Sequence, residues 1–283
     1  MTLPFDLEGK LKELSADNRS GALELLERGT GVLLELIERG VAGEVLERAA
    51  RRVMEAQPSM APLLKVGWIA LKATEGGLEA GELAERLRRF LHEAREAPRL
   101  IAQRAAPLLR DRRVIVLSFS STVIEALRRG DPREVLCAES RPLCEGVQTA
   151  QALAREGFTV RLGVDALVFG RVKEADLVMV GADAVTAQGV VNKVGTYPLA
   201  VMARSEGRPF YVLAGFEKLL PPELQGAFRI EGRPPDEVAR VEGVKVENVY
   251  FDLTPLELIT SFVTPRGLMD PKTFLSEGGL DID

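Results

Sequence analysis

The chain is poor in the residues from which most catalytic and metal centres are built. It has one histidine, His92, and two cysteines, Cys137 and Cys144, in 283 residues. A lone histidine within a charged helical pattern excludes a Ser-His-Asp triad around a sheet cleft. Two cysteines are too few for a structural zinc site, so no metal is expected, and free thiols fit a reducing compartment. No segment approaches the ~18 apolar residues of a membrane span. The opening Met1-Thr-Leu-Pro-Phe-Asp6 has neither the basic start nor the apolar core of a signal peptide, so a cytoplasmic protein without a membrane partner is expected. The motifs G-x-G-x-x-G and G-x-x-x-x-G-K-[ST] are absent, which removes the usual dinucleotide and Walker sites, and no cofactor is expected. A net charge of −5 argues against a nucleic-acid partner, because binding a phosphate backbone needs a dense basic surface.

What is present is a soluble-protein composition, 46% hydrophobic and 28% charged, in a chain long enough for one large domain or two ordinary ones. The first hundred residues read as helix. Leu23, Leu26, Gly29, Leu33, Leu36 and Ile37 are spaced by threes and fours, and Gln57-Pro58-Ser59 and Gly76-Gly77 punctuate the pattern. A long helix is expected from about Ala80 to Leu109, bent at Pro98 or Pro107.

The pattern then changes. Short apolar runs at Val114–Leu117, Glu134–Cys137, Thr159–Leu162, Asp176–Val180 and Phe210–Leu213 alternate with helical patterns at Thr122–Arg128, Glu145–Arg155 and Val194–Ser205. Strands and helices alternating at this spacing indicate right-handed βαβ units and a parallel sheet. Pro221–Val246 reads as an irregular excursion. A last strand is expected near Asn248–Phe251, with Asp252-Leu-Thr-Pro255 starting a helix over Leu256–Val263. The expected fold is thus α/β, with a helical N-terminal domain over residues 1–110 and a Rossmann-like, ligand-binding and dimerising domain over 111–283.

Loops leaving the carboxyl ends of parallel strands are where open α/β sheets bind ligands. Ser118, Ser120 and Ser121 form a hydroxyl cluster entering a helix, either an anion cradle or an ordinary N-cap. Arg141, beside Glu139, either holds a phosphate or carboxylate or pairs with Glu139 or Asp183. Asp165 either faces the crevice or caps the turn after it. Gly181-Ala-Asp183 is followed by Asn192, Lys193, Gly195 and Thr196, a carboxylate and a lysine leading into a helix start whose free amides suit a phosphate. Lys218 follows the Phe210–Leu213 run and can reach the same crevice. Mixed acids and cations in one cleft favour a small phosphorylated, hydroxylated ligand.

Three of these segments carry a resemblance. Glu139-x-Arg-Pro-x-x-x-Gly146, Val180-Gly-Ala-Asp183 with Asn192-Lys-x-Gly-Thr196, and Phe251-Asp-x-Thr-Pro255 resemble a known family in order and spacing. It joins the regulatory α/β/δ subunits of translation initiation factor 2B to isomerases acting on methylthioribose-1-phosphate and ribose-1,5-bisphosphate. The resemblance implies a helical domain on a Rossmann-like one and a homodimer or higher homo-oligomer. It also implies a phosphorylated sugar or nucleotide as ligand. In the isomerases a cysteine and an aspartate move the protons that relocate a carbonyl between C1 and C2. Asp183 matches the aspartate, and the cysteine position is assigned to Ser118.

An alcohol is a far weaker acid than a thiol of pKa ~8.5. The phosphate-gripping arginines of the isomerases also depart: Ser20-Gly21-Ala22 and Gln57-Pro58 stand in their places, with Arg19 adjacent as a substitute. Losing two charge-assisted contacts of ~1.5–3 kcal/mol each weakens phosphate binding by two or more orders of magnitude. The expectation is a family member that binds a sugar phosphate or nucleotide without efficient isomerase chemistry. The alternative is an active aldose–ketose isomerase.

Overall fold

A computed structural model describes residues 3–17 and 20–277. They form two compact units. Of these residues, one unit comprises those up to Glu96 together with Phe216–Arg229, and the other comprises Ala97–Gly215 and residues 230–277.

The first unit is helical: α1 (Phe5–Ala16), α2 (Ala22–Glu38), α3 (Glu44–Ala56), α4 (Ala61–Glu75) and the first part of α5 (Ala80–Leu109). Apolar residues at spacings of three and four give each helix one buried stripe, as with Leu7, Leu11 and Leu14 on α1 and Leu26, Leu33, Leu36 and Ile37 on α2. The α4 helix is buried nearly all round from Ala61 to Leu71. It lies so close to α3 that a Cβ on Gly67 would stand 2.7 Å from the Ala50 carbonyl oxygen. α5 continues unbroken through Pro98 and Pro107. Its Glu96/Ala97 step is where the two units divide, and Phe216–Arg229 returns to the helical unit from far along the chain. The contact pattern therefore differs from a single break after residue 110.

The second unit holds a seven-stranded sheet in the order β10-β9-β7-β4-β1-β2-β3. Its strands are β1 (Arg113–Leu117), β2 (Glu134–Ala138), β3 (Val160–Gly163), β4 (Leu177–Val180), β7 (Phe210–Leu213), β9 (Ser261–Thr264) and β10 (Gly267–Met269). All neighbours pair in parallel except β10, which runs antiparallel to β9. The parallel strands are near-continuous apolar runs, as expected where both sheet faces are covered. Helices α6 (Ser121–Gly130), α7 (Glu145–Arg155), α8 (Asp165–Phe169) and α9 (Thr196–Ser205) connect them, and α10 (Pro271–Glu277) follows β10. The chain builds outward from β1 to β3, then crosses back to lay β4 on the other side of β1. The strand order reverses between β1 and β4, the switch point at which such sheets form a ligand crevice.

Two elements differ from the sequence expectation. The helix expected over Leu256–Val263 is a single 3-10 turn, Leu256–Leu258, followed by strand β9. Phe262 and Val263 are fully buried there, and β9 pairs with β7 through Tyr211↔Ser261 to Leu213↔Val263. A β-branched, apolar segment beside an unfilled strand edge gains more from pairing than from a helix start. The last expected strand lies slightly later, as β8 (Phe251–Thr254), in a separate antiparallel sheet β5-β6-β8. Its other members, β5 (Ala184–Thr186) and β6 (Gly189–Lys193), form a hairpin that alternation did not reveal, because all eight of their residues are buried. Close packing fixes its turn: a Cβ on Gly189 would stand 2.3 Å from the Thr254 carbonyl oxygen.

Candidate functional site

At the switch point the loops after β1 and β4 lie side by side, since Val116 pairs with Met179 one residue before each strand ends. Ser120 is the N-cap of α6, its Oγ accepting from the Val123 amide at 3.3 Å. The same hydroxyl lies against the Gly181-Ala-Asp183 turn, for a Cβ on Gly181 would stand only 2.8 Å from Ser120 Oγ. Glycine is needed there for close approach and not for its backbone angles. Ser121 opens α6 and is exposed.

Ser118 serves through its backbone. Its amide donates to Ser140 Oγ at 2.7 Å and its carbonyl accepts from Thr149 Oγ1 at 2.8 Å. Its φ of 66° is in the left-handed region, where a non-glycine residue costs about 1–2 kcal/mol, and these two bonds hold it there. Of the candidate hydroxyls, Ser120 is the one packed against the turn that carries Asp183.

The turn after β2 is held by Asp165. Its carboxylate accepts from the amides of Ser140 at 2.7 Å and Arg141 at 2.9 Å, so this acid fastens the loop after β2, a different loop from the turn that follows it in sequence. Glu139 contributes its backbone, donating to the Gly163 carbonyl and accepting from the Gly146 amide. Arg141 pairs with neither Glu139 nor Asp183. Its guanidinium donates to the carbonyls of Glu237 and Val238, at 3.3 and 3.1 Å.

The β5–β6 hairpin links the acid to the amide and the lysine, because the Asp183 amide donates to the Val191 carbonyl at 2.9 Å, next to Asn192. Asn192 Nδ2 donates to Thr196 Oγ1 at 3.0 Å, and that hydroxyl donates to the Lys193 carbonyl at 2.5 Å. The Lys193 side chain is only 4% exposed and its Nζ is 2.8 Å from Glu145 Oε1. It also lies 5.2 Å over the ring of Tyr250, a cation–π contact.

The amides at the start of α9, expected to seat a phosphate, already hold an anion. The Asp252 carboxylate on β8 accepts from Gly195 at 2.7 Å and from Tyr197 at 3.2 Å. Burial pushes Asp252 up to about 6, with the Gly195, Tyr197 and Thr196 amides pulling the other way. Gly195 and Thr196 are therefore capped by the protein itself, which corrects the picture of an open cradle.

The remaining candidates belong to the helical unit. Gly21 is the N-cap of α2 and is exposed, while Arg19 lies outside the described residues. Ser20 donates its amide and hydroxyl to the Asp17 carboxylate, at 2.9 and 2.8 Å, and Arg28 pairs with the same group at 2.6 Å. Gln57, where an arginine stands in the isomerases, is buried and donates to the Asp17 carbonyl at 2.8 Å, closing the end of α1. Lys218 lies in the 3-10 turn Phe216–Lys218. This turn is fixed by the buried Lys65, whose Nζ donates to the Phe216 carbonyl at 2.7 Å. Desolvation draws Lys65 down to about 8, and Glu217 and Glu93 oppose it.

Glu145 and Asp252 are the polar groups that sequence reasoning did not assign to the site. Both lie inside the motifs that carried the resemblance, and that was the signal available for them.

The sequence profile of the Initiation factor 2 subunit family matches residues 20–271. A ribose 1,5-bisphosphate isomerase of Methanocaldococcus jannaschii is 33% identical over 238 residues, 80% of this chain and 77% of the relative. A methylthioribose-1-phosphate isomerase of Heliobacterium modesticaldum is 42% identical over 160 residues, 52% of this chain and 46% of the relative. The crystal structure of translation initiation factor eIF-2B from Pyrococcus horikoshii superposes with a TM-score of 0.84 at 31% identity, covering 96% of this chain and all of that one. The protein belongs to the Initiation factor 2 subunit family.

Proposed function

We propose that this chain is a cytoplasmic, homo-oligomeric member of the family that binds a phosphorylated sugar or nucleotide at the carboxyl edge of its sheet and does not isomerise it efficiently. The observation that carries this reading is the Ser120 hydroxyl packed against Gly181, in the turn that carries the candidate general base Asp183. A hydroxyl there orients a ligand by hydrogen bonding but is a poor proton donor near neutral pH. The two thiols lie on and after β2. Cys137 is buried in β2 and pushed up to about 12 by burial, and Cys144 is the N-cap of α7. Likeness to a translation initiation factor eIF-2B over 96% of this chain and all of that one also supports a role other than isomerisation.

Calorimetric titration with ribose phosphates and nucleoside monophosphates tests this, alongside an assay for ketose formation. Saturable binding without turnover, weakened at least tenfold by Asp183→Ala, is the expected result. Binding of none of these ligands overturns the reading.

The isomerase reading is favoured by the retained Asp183 and by the 42% identity to a methylthioribose-1-phosphate isomerase. Ketose formation by the unmodified protein, abolished in Asp183→Asn, establishes it in place of the first.

A further inference from the structure

Lys193 is the cation that a phosphate-binding reading of the sheet edge relies on, yet its charge is already matched. Its side chain is 4% exposed, Glu145 Oε1 is 2.8 Å away, and the Tyr250 ring covers it at 5.2 Å. At this distance the opposite charges attract strongly, so the pair behaves toward other ions as a neutral dipole. Glu145 is well anchored for this task. It is the first residue of α7, and Gly146 beside it packs so tightly on β2 that a Cβ would stand 1.7 Å from the Ala138 carbonyl oxygen.

The second carboxylate oxygen is equally informative. Glu145 Oε2 is buried and has no hydrogen-bond partner among the described residues, although the side chain as a whole is 25% exposed. An unmatched buried acceptor costs free energy, and the group that satisfies it must bring a hydrogen. A phosphomonoester dianion offers none, and any phosphate anion is repelled by the carboxylate. A sugar hydroxyl offers one, and a small torsion of the Glu145 side chain presents Oε2 to it.

We propose that Glu145 is a specificity-determining residue: by cancelling the charge of Lys193 it makes this end of the site a receptor for a ligand hydroxyl and not for phosphate. The inference rests on the ligand-binding reading above and refines it by assigning the polyol part of the ligand to the Glu145–Lys193 pair.

The test is calorimetric titration of the full chain with inorganic phosphate and with D-ribose 5-phosphate, in the wild type, Glu145→Gln, Lys193→Met and the double variant. Glutamine keeps an acceptor for Lys193 and removes the negative charge. The expected result is a gain of about tenfold or more in inorganic phosphate affinity in Glu145→Gln that vanishes in the double variant. Lys193→Met alone should show no such gain, because it removes the cation that Glu145→Gln frees. An unchanged phosphate affinity in Glu145→Gln, or a gain that survives in the double variant, overturns the inference while leaving the binding reading intact. Absence of all ribose phosphate binding by the wild type, with the phosphate gain still seen in Glu145→Gln, removes the binding reading and upholds the charge cancellation. Should Glu145→Gln fail to fold, Glu145→Ala with and without Lys193→Met decides in its place.

Discussion

The Asp252 carboxylate sits 2.7 Å from the Gly195 amide, filling the helix start that the sequence offers to a phosphate. An internal carboxylate with burial pushing it up to about 6, against the usual 3.8, binds its proton more readily folded than unfolded. Between those values the folded state holds more protons, so stability falls as pH rises. The contribution is fully present below about pH 4 and lost through about pH 6. Urea unfolding of the wild type and Asp252→Asn between pH 4 and 7 should show the wild type losing up to about 3 kcal/mol relative to the variant. A constant difference across that range is the contrary result.

Lys65 gives the opposite slope in alkali. Its amine is drawn down to about 8 from 10.5 by burial, so above pH 8 the folded state releases a proton that the unfolded chain retains. Stability attributable to this residue therefore rises between about pH 8 and 10.5. Relative to Lys65→Met, the wild type should gain up to about 3 kcal/mol over that interval, read by chemical denaturation.

Gly181→Ala tests the contact at the switch point. The added methyl meets Ser120 Oγ at 2.8 Å, and the loops must separate. A loss of about 1–3 kcal/mol is expected, as for overpacking elsewhere. Ser120→Gly removes the obstructing atoms, and glycine is tolerated at an N-cap. The double variant should recover at least about 1 kcal/mol beyond additivity in a denaturation cycle.

Restoring a thiol distinguishes the two serines. Ser118 was matched to the catalytic cysteine by sequence, but it is Ser120 whose hydroxyl is packed against the turn of Asp183. Ser120→Cys is therefore expected to gain measurable ketose formation from ribose 1,5-bisphosphate, lost again in combination with Asp183→Asn. Ser118→Cys is expected to stay inactive. The reverse ranking returns the chemistry to Ser118.

The parallel sheet was legible because its strands are short, apolar and separated by helices of amphipathic period. The β5–β6 hairpin was not, since Ala184–Thr186 and Gly189–Lys193 are buried throughout and show no alternation. Ile259–Val263, with Thr260 exposed and Ser261 half-buried, is too short a run for its period to separate helix from strand. At the site, motif and strand-end position pointed to Asp183, Asn192 and Lys193, while the partners of those groups were hidden. Glu145 is 48 residues from Lys193, and Asp252 is 57 from Gly195. Pairings at such separations are made by topology, and no local spacing encodes them.

The return of Phe216–Arg229 to the helical unit has a practical consequence for fragment design. A gene truncated after codon 110 would encode Lys65 without the Phe216 carbonyl that accepts its hydrogen bond, leaving the ammonium on α4 without that partner. Such a fragment should be prone to aggregation and digestion. Adding Phe216–Arg229 back through a short linker should restore it, so the helical half is portable only as a two-piece graft.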